Sequence, residues 1–315
     1  MSIPLKNAQP TVFIDGEAGT TGLQIREMLA NEPAIAVRSI AADKRKDVAA
    51  KAELMSQVDV VILCLPDDAA KEAVALGETL GDKCPRFIDA STAHRVAPGW
   101  TYGFPELAPG HAEAVAKAAR VANPGCYPTG GIALLRPLVD AGIMAADFPV
   151  TVNAVSGYSG GGKGMIEQYE AGTANPFELY GLALQHKHLG ELTAYSKLTR
   201  QPIFVPSVGN FRQGMLVSVP LHLSTLKAGT TVEDLRGALA ARYAGSEFVR
   251  VADAAEVAGM GGKIEPQALN GTNKLELFVF GHEAKGQAVL VARLDNLGKG
   301  ASGAAVQNLK LMLGL

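Results

Sequence analysis

Cysteine is scarce in this sequence, which excludes two kinds of small scaffold. The 315 residues contain three cysteines, Cys64, Cys84 and Cys126. They are odd in number, widely spaced and form no C-x-x-C pair, so neither a disulfide framework nor a cysteine zinc site is expected. The first residues also lack the apolar stretch of a signal peptide. We therefore expect a reduced, cytoplasmic protein that holds no metal.

Net charge, aromatic residues and long apolar runs are equally limited. The formal net charge is −2 and aromatic residues make up 6% of the chain, which does not suggest a nucleic acid or a membrane as partner. The longest apolar run, from Val60 to Leu65, is far too short to span a bilayer. The chain is 48% hydrophobic and has 35 glycines, as in a loop-rich α/β enzyme with sizeable cores.

The pattern of apolar residues predicts two domains, as expected for this length. Residues 1–125 alternate strands, at 11–15, 35–42, 59–65 and 86–90, with helices at 20–30 and 67–80. This alternation predicts a Rossmann-type, doubly wound parallel sheet. After residue 125 strands outnumber helices, with strands at 149–156, 203–207, 215–223, 248–251, 275–281 and 288–294. With helices at 232–243 and 301–313, this half predicts an α+β domain whose sheet is mostly antiparallel.

A glycine-rich loop follows the first predicted strand. Gly16, Gly19 and Gly22 form a G-x-x-G-x-x-G motif between the strand TVFID and a helix, with Thr20 and Thr21 inside it. Glycines permit a tight turn and a close approach of pyrophosphate to the backbone, and a helix N-terminus attracts anions. Because strand and helix flank the motif, we expect it to bind a dinucleotide.

The end of the second predicted strand indicates which dinucleotide binds. NAD enzymes of this type place Asp or Glu there, where it binds the ribose 2′-hydroxyl. This chain has Ser39, Lys44 and Arg45 in that region, and cations with a hydroxyl suit a 2′-phosphate. NADP is therefore the expected cofactor. Asp43 keeps NAD open, and a solvated basic helix start is the plainer alternative.

One cysteine stands in an unusual setting. Cys126 lies in NPGCYPTG, after a predicted strand and before a helix predicted at 131–141. A thiol at a helix N-terminus has its pKa lowered by the dipole and the amides, which favours the nucleophilic thiolate. The same amides can hold an oxyanion. Cys64 and Cys84 lie in or beside strands and are interpreted as small buried hydrophobes.

Histidine supplies the candidate base. Of six histidines only His186 and His188 form a close pair, with Glu191 three residues after the second. No cysteine or carboxylate cluster completes a metal site around them. A base that activates the thiol is therefore the preferred interpretation, although structural histidines are common.

Two further polar segments could bind an anion. SGYSGGGK runs from Ser156 to Lys163 and could surround an anion with backbone amides and one ammonium. DASTAHR follows a strand and ends in Arg95, whose guanidinium suits phosphate. Each segment could also be a simple turn. Their occurrence together with a nucleophile favours an anionic, phosphorylated substrate.

Seven motifs together resemble the N-acetyl-γ-glutamyl-phosphate reductase family in its shorter form, within the aspartate-semialdehyde dehydrogenase-like superfamily. They are GEAGTTG (16–22), DASTAHR (89–95), YGFPEL (102–107), NPGCYPTG (123–130), SGYSGGGK (156–163), HKHLGE (186–191) and DNLGKGASGAAVQN (295–308). The cysteine motif is specific, since related aspartate-semialdehyde dehydrogenases carry Asn directly before the nucleophile. Gly190 departs from the H-x-H-x-P-E of the longer form, as do residues 18–21 from the usual glycine loop.

The resemblance implies a two-domain subunit that is usually oligomeric, so a homodimer or homotetramer is expected. It implies an NADP-binding Rossmann domain at 1–125, to which the C-terminal segment 297–315 returns. A catalytic and dimerisation domain then occupies 126–296. Asn296 and Gly298 are expected to lie near the cofactor.

The resemblance also implies a reaction in arginine biosynthesis. The Cys126 thiolate attacks the acyl phosphate, phosphate leaves, and the thioester takes a hydride from NADPH to give N-acetylglutamate 5-semialdehyde. His186 or His188 exchanges the proton, and strand alternation would point only one of them into the site.

The remaining polar residues are expected to bind substrate, with Arg95 and Lys163 as candidates for its phosphate and Ser156 and Glu191 as further contacts. Two alternatives stay open. One is another acyl-phosphate reductase, such as an enzyme of aspartyl phosphate. The other is a non-catalytic, NADP-sensing regulator.

Overall fold

The computed structural model describes residues 4–45 and 47–315, which form two compact units. The first unit comprises the described residues up to Pro105 together with Pro109–Pro124 and Ala301–Leu315. The second comprises Glu106–Ala108 and Gly125–Gly300. Within the described ranges, every helix is too short or too polar to cross a bilayer.

The first unit is built on a six-stranded sheet in which every neighbouring pair is parallel. The strands, in spatial order, are β2 (Ala36–Arg38), β1 (Thr11–Asp15), β3 (Val60–Leu63), β4 (Arg86–Asp89), β6 (Arg120–Ala122) and β5 (Thr101–Tyr102). Its helices are α1 (Thr20–Leu29), α2 (Val48–Gln57), α3 (Asp67–Glu78), α4 (His111–Lys117) and α10 (Gly303–Leu313). The Rossmann-type fold predicted from the alternating pattern is confirmed.

Both faces of this sheet are buried, each by its own apolar core. Successive side chains of a strand point to opposite sides, so one strand contributes to both cores. On β1, Val12 and Ile14 join one apolar core, whereas Phe13 joins the other. The first of these cores includes Leu309 and Met312 from α10. The C-terminal helix therefore supplies part of the core of the N-terminal strands.

The second unit is built on a seven-stranded mixed sheet. Its strands, in spatial order, are β11 (Val249–Val251), β12 (Leu275–His282), β13 (Gln287–Leu294), β10 (Met215–His222), β7 (Thr151–Gly157), β9 (Ile203–Gly209) and β8 (Phe177–Leu179). The pairs β11–β12 and β7–β9 are parallel and the others are antiparallel. The predicted α+β domain with a mostly antiparallel sheet is confirmed.

The second unit also contains helices. They are α5 (Cys126–Asp140), α6 (Gly162–Glu170), α7 (Leu189–Tyr195), α8 (Val232–Tyr243) and α9 (Ala254–Gly259). The long helix α5 packs on β10 and β13. Helix α8 has its predicted bounds, since Thr231 accepts a hydrogen bond from the Asp234 amide in a capping box.

Several boundaries differ from the sequence prediction, and three of them adjoin the predicted site residues. The second strand ends at Arg38, and residues 42–44 form a 3₁₀ turn instead of extending it. The helix predicted at 131–141 begins at Cys126, because Pro128 lies in its first turn, where a missing N–H breaks no helical hydrogen bond. The last helix is preceded by a π-helical turn, Gly298–Ser302. Residues 297–300 belong to the second unit, and the first unit resumes at Ala301.

Candidate active site

Cys126 is the first residue of α5. Gly125 before it is extended, with φ −73° and ψ 151°, and provides no side-chain cap. The N–H groups of a helix's first turn have no partner four residues earlier and carry the positive end of the dipole. The half-buried thiol therefore lies where a thiolate is electrostatically favoured.

A buried carboxylate supports this turn. Glu191, in the first turn of α7, is 1% exposed and its Oε2 accepts a hydrogen bond from the Gly125 amide at 3.0 Å. Thr129 strengthens the same turn by donating from Oγ1 to the Gly125 carbonyl at 2.9 Å. Glu191, predicted as a substrate contact, holds the backbone turn directly before Cys126 in the structure.

Cys126 opens onto a cavity of about 210 Å³ within the second unit. The polar side chains that line it, besides Cys126, are Tyr127, Ser156, Tyr180, His186, Lys187 and His188. Ser156, His186 and His188 had been assigned to the site from the sequence, and the fold brings them together with the thiol. Lys187 and the two tyrosines had not been.

The two histidines lie in the turn before α7 and not in a strand, so the expectation that only one faces the site is wrong. Their ring centroids are 4.7 Å apart, and both rings line the cavity. His186 Nδ1 accepts a hydrogen bond from the His188 amide at 3.2 Å. When neutral, His186 therefore carries its proton on Nε2.

Two tyrosines form a hydrogen-bonded chain beside the thiol. Tyr180 donates from its hydroxyl to the Tyr127 hydroxyl at 3.0 Å, and Tyr127 donates to the Ser207 carbonyl at 2.9 Å. Burial raises the pKa of Tyr180 to about 12 and that of Tyr127 still further. Both phenols are therefore neutral at physiological pH. Only their nearness to the recognised motifs could have identified them from the sequence.

The π-helical turn approaches the nucleophile from another side. A Cβ atom built on Gly300 would lie 2.8 Å from Cys126 Cβ and 3.2 Å from Cys126 Cα. The preceding residue, Lys299, is 1% exposed, and its Nζ lies 2.8 Å from Glu106 Oε1. Burial lowers the Lys299 pKa, which Glu106 partly offsets. The absence of a side chain at Gly300 therefore allows the π-helical turn to pack closely against Cys126.

The two cations predicted to bind phosphate occupy different settings. Lys163 lies on α6, outside the cavity lining, with its side chain 86% exposed and its Nζ 3.7 Å from Glu167 Oε1. Arg95 is buried in the first unit, where Nε donates to the Asn123 carbonyl at 3.1 Å and Nη2 to the Ala90 carbonyl at 3.4 Å.

Asn296 and Gly298 both have contacts inside the second unit. Asn296 Oδ1 accepts a hydrogen bond from the Gly214 amide at 2.8 Å, and its Nδ2 donates to Ser159 Oγ at 2.9 Å. A Cβ on Gly298 would collide with the Thr272 carbonyl. Each residue therefore has a structural role there, whatever it contributes to a cofactor.

In the first unit, the glycine loop has the geometry of a dinucleotide site. Gly16 has φ +91°, and a Cβ on it would collide with the Cys64 carbonyl. A Cβ on Gly22 would collide with the Gly16 carbonyl, which keeps α1 close to the loop. Gly19 caps α1, Thr20 and Thr21 are its first residues, and no acidic side chain lies in its first turn. Within its own first turn, the helix therefore presents no carboxylate that would oppose an anion.

A cavity of about 200 Å³ adjoins the loop, and its lining includes apolar Ile40 and Leu65 and the charged residues Asp15, Glu17, Arg45 and Lys51. Apolar walls with a few charged groups suit an adenosine moiety. The residues of the first unit therefore fit a dinucleotide.

Two of the three residues predicted to select NADP bind Glu17, whose side chain lines this cavity. Ser39 Oγ donates to Glu17 Oε2 at 2.9 Å, and Arg45 Nη2 lies 3.1 Å from Glu17 Oε1. Arg26, which the sequence did not single out, also binds Glu17. Lys44 is exposed in the 3₁₀ turn.

Comparison with known proteins identifies both units. The family model "Semialdehyde dehydrogenase, NAD binding domain" matches residues 11–115, and "Semialdehyde dehydrogenase, dimerisation domain" matches residues 126–296. A protein of Mesorhizobium japonicum named N-acetyl-gamma-glutamyl-phosphate reductase is 53% identical, over 98% of this chain and 100% of its own. One of Brucella ovis with the same name is 54% identical, over 97% and 99%.

Solved structures of lower identity share the fold. Aspartate semialdehyde dehydrogenase II of Vibrio cholerae superposes with a TM-score of 0.72 at 16% identity, covering 98% of this chain and 99% of its own. The aspartate semialdehyde dehydrogenase of Francisella tularensis gives 0.69 at 12% identity, covering 97% and 100%.

Proposed function

Because the chain belongs to the N-acetyl-γ-glutamyl-phosphate reductase family of semialdehyde dehydrogenases, we propose that it reduces N-acetyl-γ-glutamyl phosphate to N-acetylglutamate 5-semialdehyde and phosphate with NADPH. This reaction is a step of arginine biosynthesis. The observation that carries the proposal is the position of Cys126, at the start of α5 in a cavity shared with two histidines.

Cys126 performs the covalent step. Its thiolate attacks the acyl carbon, and the bond from that carbon to the phosphate oxygen breaks. Inorganic phosphate departs, and the acyl group remains on Sγ as a thioester. The amides at the start of α5 stabilise the oxyanion that forms during attack. Glu191 keeps them in place through Gly125.

The histidine pair handles the proton. His186 and His188 both line the cavity, so a proton taken from the thiol is held beside the reacting carbon. After reduction the same pair protonates the oxygen of the tetrahedral intermediate and then takes that proton back, so that the carbon–sulfur bond breaks, the aldehyde is released and Sγ leaves as the thiolate.

Cations and hydroxyls of the site bind the anionic substrate. Lys187 lines the Cys126 cavity and Lys163 does not, so Lys187 is the better candidate there for a substrate anion. Arg95 remains the proposed phosphate ligand from the first unit. Ser156 contributes a polar contact at the cavity wall.

The first unit binds the coenzyme, which supplies the hydride when bound. Gly16, Gly19, Thr20, Thr21 and Gly22 hold its pyrophosphate at the start of α1. Ser39, Arg45 and Lys44, with Arg26, recognise a 2′-phosphate, so NADP is preferred over NAD. Asn296 and Gly298 shape the loop of the second unit that leads into the π-helical turn.

The boundary at residue 125 then separates a coenzyme-binding domain from a catalytic and self-associating one. We propose a homodimer or homotetramer assembled through residues 126–296, which match the dimerisation-domain model. The cytoplasm, where thiols stay reduced, suits a catalytic cysteine.

The decisive experiment is phosphate-dependent reduction of NADP⁺ by N-acetylglutamate 5-semialdehyde, followed at the absorbance of NADPH. Turnover should be abolished by Cys126→Ala and retained by Cys84→Ala, the matched control outside the cavity. Faster turnover of aspartate semialdehyde would instead identify an enzyme of aspartyl phosphate. NADP binding without turnover of either aldehyde would identify a sensor.

A further inference from the structure

A buried carboxylate lies in the glycine loop of the first unit. Glu17 follows Gly16 directly, and only 8% of the residue is exposed. It binds three donors from separate parts of the first unit. Arg26 Nη1 lies 2.6 Å from Oε2, Ser39 Oγ donates to Oε2 at 2.9 Å, and Arg45 Nη2 lies 3.1 Å from Oε1.

The donors are half exposed although the acceptor is covered. The side chains of Arg26 and Arg45 are 52% and 47% exposed, against 10% for Glu17. Glu17 and Arg45 also line the 200 Å³ cavity beside the glycine loop. A ligand in that cavity therefore meets the Arg45 guanidinium, whose partner Glu17 is already an anion, and Arg26 binds the same carboxylate.

The net positive charge of this cluster would neutralise the charge of a phosphate only partly. Two guanidiniums and one carboxylate leave a net charge of +1, and a phosphate monoester carries about −1.5 to −2 near pH 7. The phosphate oxygens need the same N–H and O–H groups that Glu17 accepts from, and they are repelled by its carboxylate. A ribose 2′-hydroxyl carries no charge and can donate to a carboxylate.

We propose that Glu17 is a specificity-determining residue that competes with the coenzyme 2′-phosphate for Arg26, Ser39 and Arg45 and so limits the preference for NADP over NAD. This inference rests on the proposed binding of NADP by the first unit. It assigns the carboxylate of the glycine loop an electrostatic role, beyond the packing that its burial would suggest.

The test compares two ligands that differ only in the 2′-phosphate, adenosine 5′-phosphate and adenosine 2′,5′-bisphosphate. Their dissociation constants are measured by calorimetry on the full chain and on Glu17→Gln, which keeps the size and one acceptor oxygen but removes the charge. We expect Glu17→Gln to bind the bisphosphate about tenfold more tightly, as for the loss of one like charge at a partly exposed site. Binding of the monophosphate should change less than about twofold.

Glu27→Gln is the matched control, since Glu27 lies exposed on α1 and its loss changes the net charge equally. The gain in Glu17→Gln should also shrink as salt is raised, because exposed charges are screened. Thermal unfolding checks the fold, and Glu17→Ser replaces Glu17→Gln if that variant does not fold.

The outcomes separate the two proposals. If the unmodified chain binds the bisphosphate no more tightly than the monophosphate, the assignment of NADP is wrong. If it does prefer the bisphosphate but the folded Glu17 variant shows an unchanged or smaller preference, Glu17 orders the cations for phosphate and the competition inferred here is refuted.

Discussion

Replacing Gly300 by alanine should damage catalysis through a clash of known size. The new Cβ would lie 2.8 Å from Cys126 Cβ and 3.2 Å from the Asp295 carbonyl oxygen. Carbon atoms pack at about 3.5–4.0 Å, so the π-helical turn or the start of α5 must shift by about 0.7–1.2 Å. The neighbour that must yield is the nucleophile itself.

A shift of about 1 Å at a reacting group can lower the rate about 10²-fold. We therefore expect kcat/KM of Gly300→Ala to fall by about that factor in the phosphate-dependent oxidation of N-acetylglutamate 5-semialdehyde. Overpacking should also lower the free energy of unfolding by about 1–3 kcal/mol. Binding of adenosine 2′,5′-bisphosphate, assigned to the first unit, should not change.

Gly237→Ala is the matched control. Gly237 lies within α8, where an added Cβ meets no atom within 4 Å, so this variant should keep its kinetics and gain up to about 1 kcal/mol of stability. If Gly300→Ala retained kcat/KM within about twofold, the close packing of Gly300 against the nucleophile would not matter for catalysis.

Three further predictions concern reactivity and stability. Iodoacetamide at pH 8 should modify Cys126 before Cys64, because burial raises the Cys64 pKa to about 12 and leaves about 10⁻⁴ of it as thiolate; peptide mapping showing the reverse order would contradict this. Tyr127→Phe should cost about 1–3 kcal/mol in urea unfolding, since a buried carbonyl loses its donor, and an unchanged midpoint would refute it. Burial alone would raise the Asp140 pKa, but hydrogen bonds from three basic side chains lower it overall. The destabilisation caused by Asp140→Asn should therefore be full near pH 7 and shrink as pH falls below about 4, where the unfolded carboxyl takes up a proton; a pH-independent difference would argue against the ion cluster.

Local patterns were sufficient for much of the fold. The strand Thr11–Asp15, its glycine loop and helix Thr20–Leu29 follow from a continuous apolar run, three glycines and a helical period, all short-range signals. Helix α8 was bounded by its capping residues, which lie three positions apart. The recognised motifs likewise identified the family, which the comparisons confirm.

The parts that sequence patterns missed depend on contacts between distant residues. Tyr180 and Tyr127 are 53 positions apart, and Lys299 meets Glu106 across 193 positions. The start of α5 is hidden in the sequence because two prolines and two glycines around Cys126 resemble a turn. Pro124 precedes the helix, however, and Pro128 lies in its first turn, where proline is tolerated. Strand alternation does not apply to the histidine pair, because the chain turns into α7 there.

The contribution of α10 to the N-terminal core has a consequence for synthesis on the ribosome. Strand β1 leaves the ribosome well before Leu309 and Met312, which belong to the same apolar core, are made. Until then the core that contains Val12 and Ile14 is incomplete, and its exposed apolar side chains favour aggregation of the nascent chain. A chain that stops at residue 300 would keep this core incomplete, so we expect it to be cleaved by proteases faster than the full chain, although it contains every strand that the structure describes.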